Sequence, residues 1–197
     1  MAKTEFRITG LGGQGSVLLG YILGRAYSIN AGHHATMIQS FGPEARGSAC
    51  SATLVLSEDE VLYPYIRRPD YFVIMSGEGY DKYKDELADD GALIYESDLV
   101  TPDPAMKQQA FGVPSTRIAE DLGRVIVQNI VMLGFMTGVT GIIEPDLMRQ
   151  AVAESVPEGT ERLNLKAFDA GYEYWRNTYG GGIQEEAGVT ATPARSE

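Results

Sequence analysis

The sequence predicts an α/β fold: a three-layer Rossmann-like sandwich on a mostly parallel sheet, with an inserted β-hairpin. Three observations predict it. Short apolar runs of strand length alternate along the chain with stretches of helical period. A glycine turn, GLGGQG at residues 10–15, stands between the first strand-like run and the first helix-like one. A short acidic turn, SEDE at 57–60, joins two further strand-like runs and marks the hairpin.

Residues 3–9 (KTEFRIT) alternate polar and apolar, with Phe6 and Ile8 on one side, which is a strand pattern. From Ser16 to Asn30 the apolar residues Leu18, Leu19, Ile22, Leu23, Ala26 and Ile29 recur three and four apart, forming one face of a helix. Residues 34–39 (HATMIQ) read as a second strand. The loop SFGPEARGS at 40–48 is kept out of regular structure by Pro43 and its glycines. ACSATLVL (49–56) is a strand whose antiparallel partner is expected in VLYP (61–64). YFVIMS (71–76) is an uninterrupted apolar run, the pattern of a strand buried on both faces. A short helix at 79–87 and strands at 91–97 and 109–114 follow.

Ser115 stands where it would cap a helix over 116–123, which Gly123 ends. Residues 124–139 are apolar nearly all round, yet shorter than the roughly 20 residues of a bilayer span, so a core helix is expected. Pro145 opens the next helix, and Leu165, Phe168, Tyr172 and Trp175 mark the buried face of a last one at 161–179. Residues 1–179 are thus expected to form one domain. Residues 180–197 have little to bury and are expected to be a flexible C-terminal tail.

Composition narrows the function. With 197 residues, 44% of them hydrophobic, the chain can build one core of ordinary size. A net charge of -11, with Arg67-Arg68 the only adjacent basic pair, sets nucleic acid aside. One cysteine, Cys50, and two histidines, His33 and His34, cannot make a disulfide, a four-ligand zinc site or an iron-sulfur cluster, so no metal site is expected. No run reaches membrane-span length and the first ten residues hold no signal-like apolar segment. A cytoplasmic protein is therefore expected.

Gly10, Gly12 and Gly15 match G-x-G-x-x-G, and a glycine turn that opens a helix offers N–H groups and a positive dipole end to an anion. A dinucleotide site also needs an acid about 20 positions on to hold the ribose. Here the second strand ends MIQSF, and the first acid is Glu44, inside the next glycine loop. In that loop Gly42, Pro43 and Gly47 shape the backbone and set Glu44 and Arg46 two apart. They are placed to pair with each other, with a neighbouring subunit, or with a phosphate or carboxylate. Spacing alone leaves a phosphate-binding turn and a purely structural turn both open, with a free-standing NAD(P)- or FAD-binding oxidoreductase domain as one alternative and a ligand-free assembly factor as another.

Taken together, GLGGQG, the downstream SFGPEARGS, YP before PDYFVIMS, QNIVMLG and LNLKAFDAGY resemble the gamma subunit of the 2-oxoacid:ferredoxin (acceptor) oxidoreductases, from about Phe6 to about Tyr174. Ser48 departs from the pattern, since a second glycine often follows ARG in that family. The resemblance implies a hetero-oligomer that decarboxylates a 2-oxoacid on thiamine diphosphate, passes electrons through iron-sulfur clusters and transfers the acyl group to coenzyme A. It implies alpha, beta and ferredoxin-like delta partners, with an additional flavoprotein subunit in some complexes. It implies no catalytic residue in this chain. Thiamine diphosphate and clusters would sit in the partner subunits, and coenzyme A at the subunit interface. The cofactor-facing residues would be Gly10, Gly12, Gly13, Gln14 and Gly15, whose backbone would meet the coenzyme A phosphates, with Gly42, Glu44, Arg46 and Gly47 in the second loop and Arg46 as a second anchor. Both loops touching only partner chains is the other variant. Pyruvate, 2-oxoglutarate, branched-chain and aromatic 2-oxoacids all fit the resemblance, as do ferredoxin and NAD as electron acceptor.

Other residues draw plainer readings. His33 and His34, adjacent on an extended segment, point to opposite faces and cannot converge on one atom. Cys50 reads as a small core residue rather than a nucleophile, with no histidine or helix start evident beside it. Tyr63, Tyr65 and Tyr71, around Pro64 and Pro69, form either a partner-facing cluster or a core edge. Asn129, alone in an apolar helix, must find hydrogen-bond partners and is expected to be a structural tie or a subunit contact.

Overall fold

The computed structural model describes residues 3–41 and 49–180. Six strands form one sheet: β1 (Lys3–Leu11), β2 (His34–Ser40), β3 (Ala49–Ser57), β4 (Tyr71–Ile74), β5 (Ala92–Glu96) and β6 (Gln109–Val113). Their order is β2-β3-β1-β4-β5-β6. β1, β4, β5 and β6 pair in parallel, whereas β3 is antiparallel to both β1 and β2. β3 alone therefore runs against the other five strands. Among the described residues there are six α-helices: α1 (Ser16–Arg25), α2 (Gly77–Tyr83), α3 (Ser115–Asp121), α4 (Gln128–Thr140), α5 (Pro145–Ser155) and α6 (Glu161–Thr178).

The alternation in β1 sends Phe6 and Ile8 into the larger core with Leu54 and Leu56 of β3, beneath α1, α4, α5 and α6. In β4, Val73 joins that core while Phe72 and Ile74 enter a smaller one on the opposite face, with Tyr80 of α2, Leu87 and Leu93. This confirms the three layers, and each fully buried Phe of this kind contributes about 1.5–3 kcal/mol. α4 is buried along Gln128–Gly138, as its all-round apolar pattern predicts, and lies against α6 with glycines at the crossing. Pro145 stands at the start of α5 and Gly123, at φ 89°, ends the turn after α3, both as expected.

Four local readings change. The hairpin is made by β2 and β3, not by residues 49–56 with 61–64, and the latter form no strand. Pro64 lacks a donor for a ladder, and the successive residues Leu62 and Tyr63 are both exposed, 86% and 58%, instead of alternating. The first helix passes into a π-helical turn at Ala26–Asn30, where the Ala31 N–H reaches the Ala26 carbonyl at 2.9 Å. The wider turn rotates Ile29 off the buried face, and it is 65% exposed. Ser115 is the first residue of α3 rather than its cap, and its hydroxyl donates to Glu96. Tyr71 stacks on Phe6 at 5.0 Å, so the three tyrosines do not act as one cluster. No helix among the described residues is long and apolar enough to cross a membrane.

Candidate functional site

The turn after β1 is built by residues whose side chains hold it shut from inside. Gln14 accepts from the Leu11 N–H at 2.7 Å and donates to the Met75 carbonyl at 2.9 Å, tying the turn to the end of β4. Both polar ends of that side chain are thereby engaged within the turn. Gly13 and Gly15 take φ of 101° and 77°, the left-handed region that glycine alone enters without strain. Gly15 caps α1, and the first helical bond runs from the Leu19 N–H to the Gly15 carbonyl at 3.0 Å. The N–H groups of Ser16, Val17 and Leu18 therefore have no acceptor within the helix and carry the positive end of its dipole.

Asn129, in the first turn of α4, donates to the Gly15 carbonyl at 3.3 Å, which makes it the structural tie the sequence leads one to expect. A second chain of bonds fixes the same wall from the other side. The buried Glu96 carboxylate, at the end of β5, accepts from Ser115, from the Thr116 N–H at 2.9 Å and from the Thr116 hydroxyl at 3.2 Å. Thr116 in turn reaches Gln128 at 2.8 Å, next to Asn129.

A cavity of about 1090 Å³ opens at this end of the sheet. Gly12, Gly13, Gly15, Ser16 and Val17 line it at the α1 N-terminus, and Cys50, Phe41, Arg124, Ile126, Asn129, Thr160, Leu163 and Asn164 are among the other residues around it. Gly10 lies deeper, where a Cβ would stand 2.9 Å from the Gln14 amide oxygen and 3.3 Å from Met75. Among the described lining residues none is Asp or Glu and one, Arg124, is cationic. In a chain with 27 acidic residues and 16 basic ones, this favours an anionic ligand, and the apolar side chains favour one with an uncharged arm. Gly42, Glu44, Arg46 and Gly47 lie outside the described residues, but Phe41 and Cys50, which bracket that segment, both line the cavity.

Cys50 differs from its expected setting. Its thiol lies 3.1 Å from the hydroxyl of Ser16, so a helix start stands directly beside it. His34 is exposed on β2 and His33 packs on Tyr27 at 4.9 Å, and neither lines the cavity. Sequence reasoning missed Arg124, Thr160, Leu163 and Asn164. They come from the far half of the chain, and only the folding of α4 and α6 over the glycine turn brings them there. Gly123 ahead of Arg124 was a visible helix stop, but nothing local showed where the next residue would point.

Strand order decides the dinucleotide alternative. In a dinucleotide-binding βαβ unit the second strand lies parallel and next to the first, bringing its terminal acid to the ribose. Here β3 lies between β1 and β2, and β2 ends in Gln39 and Ser40. The glycine turn therefore works without the rest of that site.

Comparison with known proteins agrees. The profile of the pyruvate ferredoxin/flavodoxin oxidoreductase family matches residues 5–174. The 2-oxoglutarate synthase subunit KorC of Methanocaldococcus jannaschii is 43% identical, over 87% of this chain and 93% of its own length. The pyruvate synthase subunit PorC of the same organism is 27% identical, over 89% and 99%. The crystal structure of the gamma subunit of a keto/oxoacid ferredoxin oxidoreductase from Geobacter sulfurreducens superposes with a TM-score of 0.78 at 37% identity, covering 89% of this chain and 99% of that one. The fold also matches, with a TM-score of 0.82 at 21% identity, 33% of the chain of a Magnetococcus marinus 2-oxoglutarate:ferredoxin oxidoreductase solved with 2-oxoglutarate, coenzyme A and succinyl-CoA bound. The chain belongs to the pyruvate ferredoxin/flavodoxin oxidoreductase family, and within it to the gamma-type subunits of the 2-oxoacid:ferredoxin oxidoreductases.

Proposed function

We propose that this chain receives coenzyme A for a multi-subunit oxidoreductase that converts 2-oxoglutarate to succinyl-CoA, and that it helps cover the active-site entrance. The observation that carries the coenzyme A role is the cavity itself, free of carboxylates among its described residues and opening on the N–H groups of Ser16, Val17 and Leu18. Coenzyme A is a polyanion with an uncharged pantetheine arm, the shape of ligand such a lining suits. The choice of 2-oxoglutarate rests on the higher identity to KorC than to PorC.

The backbone of Gly12, Gly13 and Gly15 and the start of α1 would hold the diphosphate, while Val17, Ile126 and Leu163 would line the path of the arm. Arg46, in the adjoining loop, is proposed as an anchor, with Gly42, Glu44 and Gly47 shaping that loop. The carbon-carbon cleavage and the electron transfer are assigned to alpha, beta and ferredoxin-like delta chains, since a single cysteine cannot ligate a cluster. Thiamine diphosphate would supply the carbanion chemistry there. The complex is proposed to be cytoplasmic.

In the assembled complex, Arg46→Ala should raise the KM for coenzyme A about tenfold while the subunits still co-elute on gel filtration. Dissociation of the complex with an unchanged KM in the residual assembly would instead make the loop an interface element.

A further inference from the structure

Six arginines of the described chain, Arg7, Arg25, Arg68, Arg117, Arg149 and Arg176, pair with a carboxylate. The guanidinium of Arg124, like those of Arg67 and Arg162, has no hydrogen bond or ion pair to any described residue; Arg124 is exposed, and of the three it is the one that lines the cavity. Its backbone is fixed: the Arg124 N–H donates to the Ala119 carbonyl at 3.1 Å, just after Gly123 at φ 89° reverses the chain. Directly after it, Val125 and Ile126 are 43% and 75% exposed, and Ile126 lines the same rim. A held backbone thus carries a free guanidinium on the exposed, apolar side of the cavity, while the helix start at the buried Ser16 lines the same cavity.

These two positive features suit different phosphates. A diphosphate within the ligand has few charges per atom and can be enclosed by backbone N–H groups. A terminal phosphate monoester carries nearly two charges on one group and is costly to dehydrate, so it belongs at the exposed rim, where a planar guanidinium binds it with two parallel bonds. We infer that Arg124 is a specificity-determining residue that reads the 3′-phosphate of coenzyme A at the cavity mouth. This rests on the proposal that coenzyme A enters this cavity.

The test uses the assembled complex and steady-state KM values for coenzyme A and dephospho-coenzyme A. The unaltered complex should prefer coenzyme A by about five- to tenfold. Arg124→Gln should abolish the preference by raising the KM for coenzyme A alone, and Arg124→Lys should keep part of it as a point charge. A preference that survives Arg124→Gln, or an equal rise for both substrates, overturns the inference. Val17→Trp separates this failure from that of the underlying reading. Val17 lines the cavity without joining the core, so the bulkier residue should raise both KM values. If Val17→Trp changes neither, coenzyme A is elsewhere and both proposals fall.

Discussion

At Gly15 three demands meet in one residue. Its φ of 77° favours glycine, its carbonyl accepts both from Leu19 and from Asn129, and a Cβ built there would stand 2.5 Å from the Asn129 amide nitrogen. Gly15→Ala should therefore destabilise the protein by about 2–3 kcal/mol, part left-handed strain and part collision. Urea denaturation checks it, and adding Asn129→Ala should relieve the collision, so that the double variant loses less than the sum of the singles. An additive result would show that Asn129 does not press on the turn. The sequence made the glycine spacing legible, because a conformational need selects one residue type. Gln14 was not legible in the same way: its tie to Met75 crosses from one strand end to another, and no local pattern records that contact.

Between elements, packing corrects what periodicity suggests. The stretch from Ser16 to Asn30 carries a helical period throughout, yet the π-helical turn at its end moves Ile29 into solvent, since one added residue per turn shifts every later side chain. Strand-like composition at 61–64 failed because a strand also needs a partner, and β3 already has β1 on one side and β2 on the other. The α4–α6 crossing is the reverse case, in which small residues in an apolar run mark a close approach. A Cβ at Gly134 would collide with the backbone carbonyl of Phe168, and one at Gly171 with that of Val131. Backbone cannot swing aside as a side chain can, so Gly134→Ala should cost about 3 kcal/mol or more and lower Tm by on the order of 10 °C. Gly141→Ala, at φ 57° with open space around it, should cost only about 1 kcal/mol of backbone strain. Calorimetry that found the two equally destabilising would refute backbone contact as the reason for Gly134.

For the whole molecule, the alternation of strands and helices announced the layers, but not the order β2-β3-β1-β4-β5-β6, because strand neighbours are set by crossovers that leave no periodic trace. That order places a core on each face of one sheet, and buried or half-buried tyrosines report on both. Burial raises the phenol of Tyr71 above its ordinary value, with the charge of Asp70 adding to the effect. Burial likewise raises Tyr27, with Glu58, and Tyr95, with Tyr179 and Tyr174. The sign for stability follows from proton counts. Above about pH 10 the unfolded chain ionises these phenols while the folded one keeps them protonated, so the native state binds more protons and its stability falls as pH rises. The contribution is complete below the unfolded value and is lost through the raised folded ones. A titration followed at 295 nm should therefore show the signal of these three phenols appearing only as the circular dichroism collapses. Tyr71→Phe removes one such group from a position stacked on Phe6, without changing the ring, and should move the alkaline unfolding midpoint upward relative to the parent. A midpoint that stays put, at equal stability near neutral pH, would mean that Tyr71 ionises freely within the folded sheet.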